Sequence, residues 1–160
     1  MPNAIRLLGT LLLCCLLFCG CHSVPDPLSR MRSPFSATLC GTRGDLCWEA
    51  ELTVEPTCVT LRYTAPESLA GLVLTKTGET LIAKSGDVVY RATPDALEGL
   101  WLPAMLLTEF PSIASQEQRS GTTEIDFSDG SVLFLDESLA PARANHPDLT
   151  VFITGFRGEE

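Results

Sequence analysis

The chain has 160 residues, of which 45% are hydrophobic, and a formal net charge of −9. This length and composition suit one domain with a hydrophobic core. So acidic a balance excludes electrostatic binding to nucleic acid or to anionic lipid head groups, because both attract basic patches. We therefore expect no nucleic-acid partner.

The first 21 residues have the pattern of a bacterial lipoprotein signal. Arg6 is the only side-chain cation of the start, and an apolar run from Leu7 to Phe18 follows it. About a dozen apolar residues suit a signal peptide, whereas a membrane-spanning helix needs roughly 20. Gly20 stands directly before Cys21, which supplies a small residue at the cut and a thiol to carry lipid. We expect residues 1–20 to be removed.

Lipidation of Cys21 predicts a protein held on the extracytoplasmic face of the cell membrane by a covalent lipid, with no other cofactor. The alternative is an uncleaved N-terminal anchor with incidental cysteines. Cys19 is a weaker lipidation candidate, because the bulky Phe18 precedes it. Residues 21–33 contain prolines and serines and are predicted to be a tether. Residues 34–160 are predicted to form a single β-rich domain.

Two segments with strict period-two alternation predict the first hairpin, Phe35–Cys40 and Leu46–Val54. A turn centred on Arg43-Gly44 places Leu39 opposite Trp48 and matches the two apolar faces. The same register puts Cys40 opposite Cys47 on the polar face. A cross-strand disulfide and a pair of free thiols remain equally open, since strand spacing does not fix the Cβ directions. Cys58 is the third cysteine after the signal.

Further short strands follow, punctuated by glycine turns. Ala140–Ala144 is predicted to be an edge strand, because Pro141 cannot donate to a sheet ladder. The predicted segments are Thr57–Tyr63, Leu72–Lys76, Thr80–Lys84, Val88–Tyr90, Thr122–Ser128, Ser131–Leu135, Ala140–Ala144 and Leu149–Phe156.

The middle of the chain predicts helix. Thr93 and Pro94 are typical of a helix start, and Pro103 suggests the start of a second helix that ends at Phe110. The apolar content favours a helix packed on the sheet. A lid over a lipid-sized cavity is the alternative.

No constellation of residues predicts catalysis or metal binding. His22 falls in the tether and His146 in a turn, and no His/Cys spacing suits a metal. We therefore expect a non-enzymatic protein. Arg43-Gly44-Asp45 matches the tripeptide bound by cell-adhesion receptors, but all three are ordinary turn residues.

The order of these parts resembles the lipoprotein-carrier superfamily that includes LolA and LolB, and small lipoproteins of Gram-positive bacteria. The likeness covers most of Phe35 to Phe156. It is carried by the runs Leu61–Leu72, Leu100–Phe110, Asp129-Gly130 and Leu149–Phe156. The resemblance implies a curved antiparallel sheet, an incomplete barrel whose concave side carries helices and holds acyl chains.

The predicted fold class is therefore α+β, mostly β, with one or two short helices on the concave side of the sheet. We expect non-catalytic binding of an apolar ligand or an envelope partner. The competing expectation is a structural or protein-interaction module with a solid core. The residues predicted to line the interior are Trp48, Leu52, Leu61, Tyr63, Trp101, Met105 and Phe127.

Overall fold

The computed structural model describes residues 26–158, which form eleven strands and one main helical segment. The strands are β1 (Phe35–Arg43), β2 (Leu46–Val54), β3 (Val59–Ala65), β4 (Val73–Thr77), β5 (Thr80–Ser85), β6 (Val88–Ala92), β7 (Ile113–Arg119), β8 (Thr122–Phe127), β9 (Val132–Leu135), β10 (Pro141–His146) and β11 (Leu149–Gly158). The predicted signal peptide and Cys21 lie outside the described residues.

All eleven strands belong to one antiparallel sheet, in the order β6-β5-β4-β3-β2-β1-β11-β10-β9-β8-β7. Two meanders, β1–β6 and β7–β11, are joined by the pairing of β1 with β11. The sheet does not close, and β6 and β7 are its edges. The mostly β, antiparallel, open architecture predicted from the sequence is confirmed.

The helical segment connects the two meanders. A 3-10 turn, Pro94–Leu97, leads directly into α1, Glu98–Thr108. The predicted start at Pro94 is confirmed, but the predicted second helix is wrong, because Pro103 lies inside α1. Within residues 26–158, no helix has the length and apolar character to cross a membrane.

One contiguous core fills the space between the sheet and α1. It includes fully buried side chains from distant strands, such as Leu81 of β5 and Ile125 of β8, together with Trp101 and Leu107 of α1. Strands so far apart in one sheet share a core with the helix because the sheet curves around it. Each such side chain contributes about 1.5–3 kcal/mol on burial.

The β1–β2 hairpin differs from its predicted register by two residues. Gly41 pairs with Trp48 and Arg43 with Leu46, so that only Gly44 and Asp45 form the turn. A two-residue turn with a left-handed glycine matches the twist of the strands, and Gly44 has φ of 57°. Because side chains alternate with period two, a shift of two residues leaves the predicted buried face unchanged.

The corrected register separates the two cysteines that were predicted to face each other. Cys40 pairs with Glu49 and Cys47 with Thr42, so the cysteines are diagonal neighbours. Cα atoms of diagonal neighbours lie about 7–8 Å apart, beyond the usual reach of a disulfide at roughly 7 Å. Cys40, Cys47 and Cys58 are free thiols.

The residues that precede β1 pack on the domain. Leu28 and Met31, which fall in the predicted tether, are 2% and 3% exposed and belong to the core. A short 3-10 turn, Ser29–Met31, brings them there. The folded domain therefore extends N-terminally to Leu28, beyond the boundary predicted at residue 34.

Two strands in the second meander also depart from expectation. β10 is an interior strand between β9 and β11, not an edge. Pro141 is tolerated because it is the first residue of β10, beside a register shift. The sequence did not predict β7. Every residue of β7 is exposed, so the strand lacks the alternation of buried and exposed side chains that indicates the other strands.

Candidate functional site

A pocket of about 370 Å³ lies between the sheet and the start of the helical segment. We call it the apolar pocket. Its volume is within the range of ligand sites, about 300–1,000 Å³. Arg43, Asp95 and Glu98 are the charged residues that line it. Its apolar lining comes from Leu46, Trp48, Tyr63, Leu69, Ala96, Leu97, Leu100, Pro103 and Leu149.

A proline inside α1 shapes the rim of this pocket. Pro103 has no N–H, so the carbonyl of Gly99, four residues earlier, loses its partner in the helix. Arg43 Nη1 donates to that oxygen over 3.1 Å. A Cβ on Gly99 would overlap Arg43 Nη1, so the glycine leaves room for the approach. The arginine of the Arg43-Gly44-Asp45 turn sequence is therefore bonded to α1.

Tyr63 ties the sheet to the same turn of the helix. Its hydroxyl donates to the carbonyl oxygen of Leu100 over 2.7 Å, and the residue is only 3% exposed. Burial raises the pKa of Tyr63 to about 12, against a smaller opposing effect of the Arg43 charge. A hydroxyl that is both protonated and hydrogen-bonded leaves the pocket no phenolate base.

Trp48 forms the floor of the pocket and packs tightly against the sheet. Its ring lies directly over Gly41, its partner on β1, and a Cβ at Gly41 would overlap atoms of the indole. The ring also meets Tyr63 edge-on, with centroids 5.9 Å apart. Gly41 is therefore the residue that sets the position of the indole.

The seven residues predicted to line the interior are divided by the structure. Trp48 and Tyr63 line the apolar pocket. Met105 is half-buried and lines a neighbouring groove along α1. The remaining four are packed in the solid core, at 0–5% exposure: Leu52, Leu61, Trp101 and Phe127.

Several pocket residues were missed because they lie in turns and loops or at the first position of a strand. Leu46 begins β2 beside a turn, Leu69 is in the β3–β4 loop, and Leu97 is in the 3-10 turn. Leu149 begins β11. The available signal was the placement of large apolar residues at positions where turns are usually polar.

Two further depressions adjoin the apolar pocket. The turn depression, about 540 Å³, is lined by residues 42–44 and 146–150, from the β1–β2 and β10–β11 turns. The helix groove, about 570 Å³, runs between α1 and the β8–β9 turn and includes Met105, Asp129 and His146. Within residues 26–158, no three His, Cys, Asp or Glu side chains are grouped to hold a metal ion.

Asp129 keeps its charge in the helix groove. Its Oδ1 accepts hydrogen bonds from Ser131 N at 2.9 Å and Ser131 Oγ at 2.6 Å. Partial burial opposes ionisation of Asp129, but these bonds and the nearby His146 outweigh it and lower the pKa of the carboxyl. The groove therefore carries a fixed negative charge beside His146.

Comparison with solved structures shows that the fold occurs elsewhere. An uncharacterized conserved protein from Thermus thermophilus superposes with a TM-score of 0.58 at 12% identity, over 86% of this chain and 88% of that chain. A LolA superfamily protein from Nitrosomonas europaea gives 0.45 at 10% identity, over 84% and 92%. Lipoprotein LppX of Mycobacterium tuberculosis gives 0.38 at 12% identity, over 84% and 96%.

The likeness to the Thermus protein shows the fold alone, because that protein is itself uncharacterized. No protein-family profile matches the sequence. No curated protein matches it either.

Proposed function

We propose that this protein is a membrane-anchored, non-catalytic lipoprotein that binds an apolar ligand in the apolar pocket. The observation that carries the proposal is the pocket itself, about 370 Å³ of space lined mainly by leucine and aromatic side chains. A cavity with such walls gains free energy when an apolar ligand replaces water, at about 25 cal/mol per Å² of apolar surface removed from water. The sequence resemblance to lipoprotein carriers is consistent with the proposal.

The polar chemistry of the pocket supports binding over catalysis. Tyr63 is held by the Leu100 carbonyl, and Arg43 is held by the Gly99 carbonyl. Asp95 and Glu98 lie on the exposed helix start. A nucleophile activated by a neighbouring base is the arrangement that a hydrolytic site needs, and the pocket residues do not form one.

Native mass spectrometry of the full chain, extracted from membranes in mild detergent, tests the binding. We expect a co-purifying apolar ligand on the wild type and much less of it on Leu69→Trp, because a larger side chain at this half-buried loop position fills the pocket. Ile82→Trp is the matched control, because Ile82 lies on the face of β5 opposite to the buried Leu81. Equal ligand occupancy in all three proteins, or none in any, contradicts the proposal.

The anchor is tested separately, at Cys21. Several acyl chains on one cysteine hold a protein stably in a bilayer, because each buried methylene contributes about 0.8 kcal/mol. We expect Cys21→Ala to abolish incorporation of labelled fatty acid and to reduce membrane pelleting, whereas Cys19→Ala does neither. Unchanged labelling of Cys21→Ala rules out this anchor.

A protein-interaction module is the second candidate, and one observation favours it. Val88, Val89 and Tyr90 of the edge strand β6 are 70%, 57% and 57% exposed. Exposed apolar edge strands pair readily with other chains, and Arg91 is the one charged residue of β6. A chain that co-purifies with a protein and never with a lipid would support this second function.

A further inference from the structure

The apolar pocket is one part of a larger continuous surface around the start of the helical segment. It shares Arg43 and Leu149 with the turn depression and Glu98 with the helix groove. The turn depression and the helix groove in turn share His146. A ligand whose tail fills the apolar pocket therefore has its head beside these two more polar surfaces.

The charge on this surface is mostly negative. Arg43 is its one guanidinium, and it bonds a carbonyl. Glu109, also in the helix groove, is paired with Lys76 of β4. Across residues 26–158, four carboxylates of this surface make no ion pair: Asp95, Glu98, Asp129 and Asp148.

An unused hydrogen-bonding atom lies at the junction of the two polar surfaces. Nδ1 of His146 is buried and has no hydrogen-bond partner among the described residues. A buried polar atom without a partner costs about 1–3 kcal/mol, so a movement of the ring that brings this atom to a polar ligand head would be favourable. His146 and the carboxylates can all interact with donors on such a head.

The volume of the apolar pocket limits the tail. At about 370 Å³ the pocket lies near the lower end of ligand-sized cavities, which run from about 300 to 1,000 Å³. This volume suits one short acyl chain, which we place in the apolar pocket as the ligand tail.

We infer that the ligand is a single-chain amphiphile whose head donates hydrogen bonds and carries no negative charge. This inference rests on the proposed function. The tail lies against Trp48 and Leu69, and the head lies over Glu98, Asp129 and His146. An anionic head in the same place would lie beside the carboxylates of Glu98 and Asp129, which is repulsive.

Photo-crosslinking on the full chain in liposomes tests this inference. Three probes share a photoactivatable twelve-carbon chain and differ in the head: a primary ammonium, a glycerol monoester and a carboxylate. Labelling of pocket peptides is divided by labelling of bulk lipid, which corrects for differences among the probes in partitioning into the liposomes. We expect the ammonium and glycerol probes to label the pocket about tenfold more than the carboxylate, a difference of about 1.4 kcal/mol.

Salt and substitution then identify the source of the preference. Raising the ionic strength to about 1 M shortens the Debye length to about 3 Å, so the ammonium-to-carboxylate ratio should fall severalfold in the wild type. We expect Glu98→Gln combined with Asp129→Asn to lower the ratio in the same direction. Glu51→Gln combined with Asp87→Asn removes the same charge elsewhere on the domain and should leave it unchanged.

The outcomes separate this inference from the proposed function. Equal labelling by all three probes, blocked by Leu69→Trp, keeps the apolar site and overturns the head-group inference. Preference for the carboxylate also overturns it. Absence of pocket labelling by every probe overturns both. The salt dependence uses only the wild type, so the test stands even if the double variant fails to fold.

Discussion

Arg43 donates a hydrogen bond from the end of β1 to the carbonyl oxygen of Gly99 in the first turn of α1. The acceptor is free because Pro103 supplies no N–H at the position four residues later. The bond compensates for the proline and fastens the helix start to the sheet, at the rim of the apolar pocket. Tyr63 reinforces the attachment one residue along, through the Leu100 carbonyl.

Removing the guanidinium should loosen the helix start. Arg43→Met keeps much of the side-chain length but leaves the Gly99 carbonyl to water. We expect a loss of about 0.5–1.5 kcal/mol in the free energy of unfolding, with faster hydrogen exchange in the first turn of α1. Arg62→Met, on the outer face of β3, is the control. The same exchange rates in both variants would show that Arg43 does not hold the helix.

A methyl group at Gly41 should displace the Trp48 ring. The added Cβ would overlap the indole and lie 2.9 Å from the Thr150 carbonyl oxygen. Overpacking of this kind costs typically about 1–3 kcal/mol, and we expect a shifted tryptophan emission maximum and weaker ligand binding. Gly158→Ala is the control, since its Cβ would meet only ordinary contacts at 3.7 Å or more. An unchanged midpoint in urea for Gly41→Ala contradicts this packing.

Tyr63 should make the protein less stable at high pH. Its folded pKa of about 12 lies above the ordinary tyrosine value of 10.0, so the folded state keeps the proton longer than the unfolded state does. The resulting stability is complete below about pH 10 and is lost as the pH rises through about 12, and the difference between the two pKa values corresponds to about 3 kcal/mol. Tyr63→Phe should flatten the decline between pH 10 and 12.

Tyr90→Phe is the matched control for this pH series, because Tyr90 is 57% exposed on the edge strand. Urea midpoints measured for the wild type and both variants across the alkaline range decide the matter. Parallel curves for the wild type and Tyr63→Phe would mean that Tyr63 does not cause the alkaline slope.

Asp136 should stabilise the β9–β10 turn through three hydrogen bonds. Its Oδ1 accepts from Ser138 N at 2.8 Å, Ser138 Oγ at 2.7 Å and Ala140 N at 3.0 Å. Partial burial acts against ionisation, but these bonds and the charge of Arg30 prevail and lower the pKa of the carboxyl. Its stabilising effect is present above the ordinary carboxyl pKa and is lost as the pH falls through the lower folded value.

We expect Asp136→Ala to cost about 1 kcal/mol at neutral pH and to remove part of the acid sensitivity. Asp87→Ala, at an exposed turn between β5 and β6, should do neither. Acid titrations of the three proteins, followed by circular dichroism, provide the measurement. Identical acid transitions for the wild type and Asp136→Ala would show that Asp136 does not contribute to the acid sensitivity of the fold.

Cys58 should react slowly with alkylating reagents. Its thiol donates to Glu55 Oε2 at 3.2 Å, and this hydrogen bond, with burial and the carboxylate charge, raises the pKa of Cys58. Because the thiolate is the nucleophile, Glu55→Gln should speed the alkylation of Cys58 while Cys47, which is exposed, keeps its rate. Peptide-resolved mass spectrometry separates the cysteines, and an equal rate at Cys58 in both proteins would contradict the prediction.

The sequence by itself determined the strands whose side chains alternate, such as β2, and the start of the helical segment at Pro94. It also determined which face of each such strand is buried, because alternation is a local property that survives a shift of register. The acidic balance was equally available, since it depends on composition alone.

Only the tertiary structure decided the remaining features, because they depend on contacts between residues far apart in the sequence. The pairing of β1 with β11 joins residues more than a hundred positions apart, and β7, exposed throughout, is held by its ladder with β8. Pro103 continues a helix because Arg43, on a distant strand, replaces the lost partner of Gly99. The hollow beside Trp48, in contrast to the solid packing of Leu52 and Trp101, depends on how the curved sheet meets the helix.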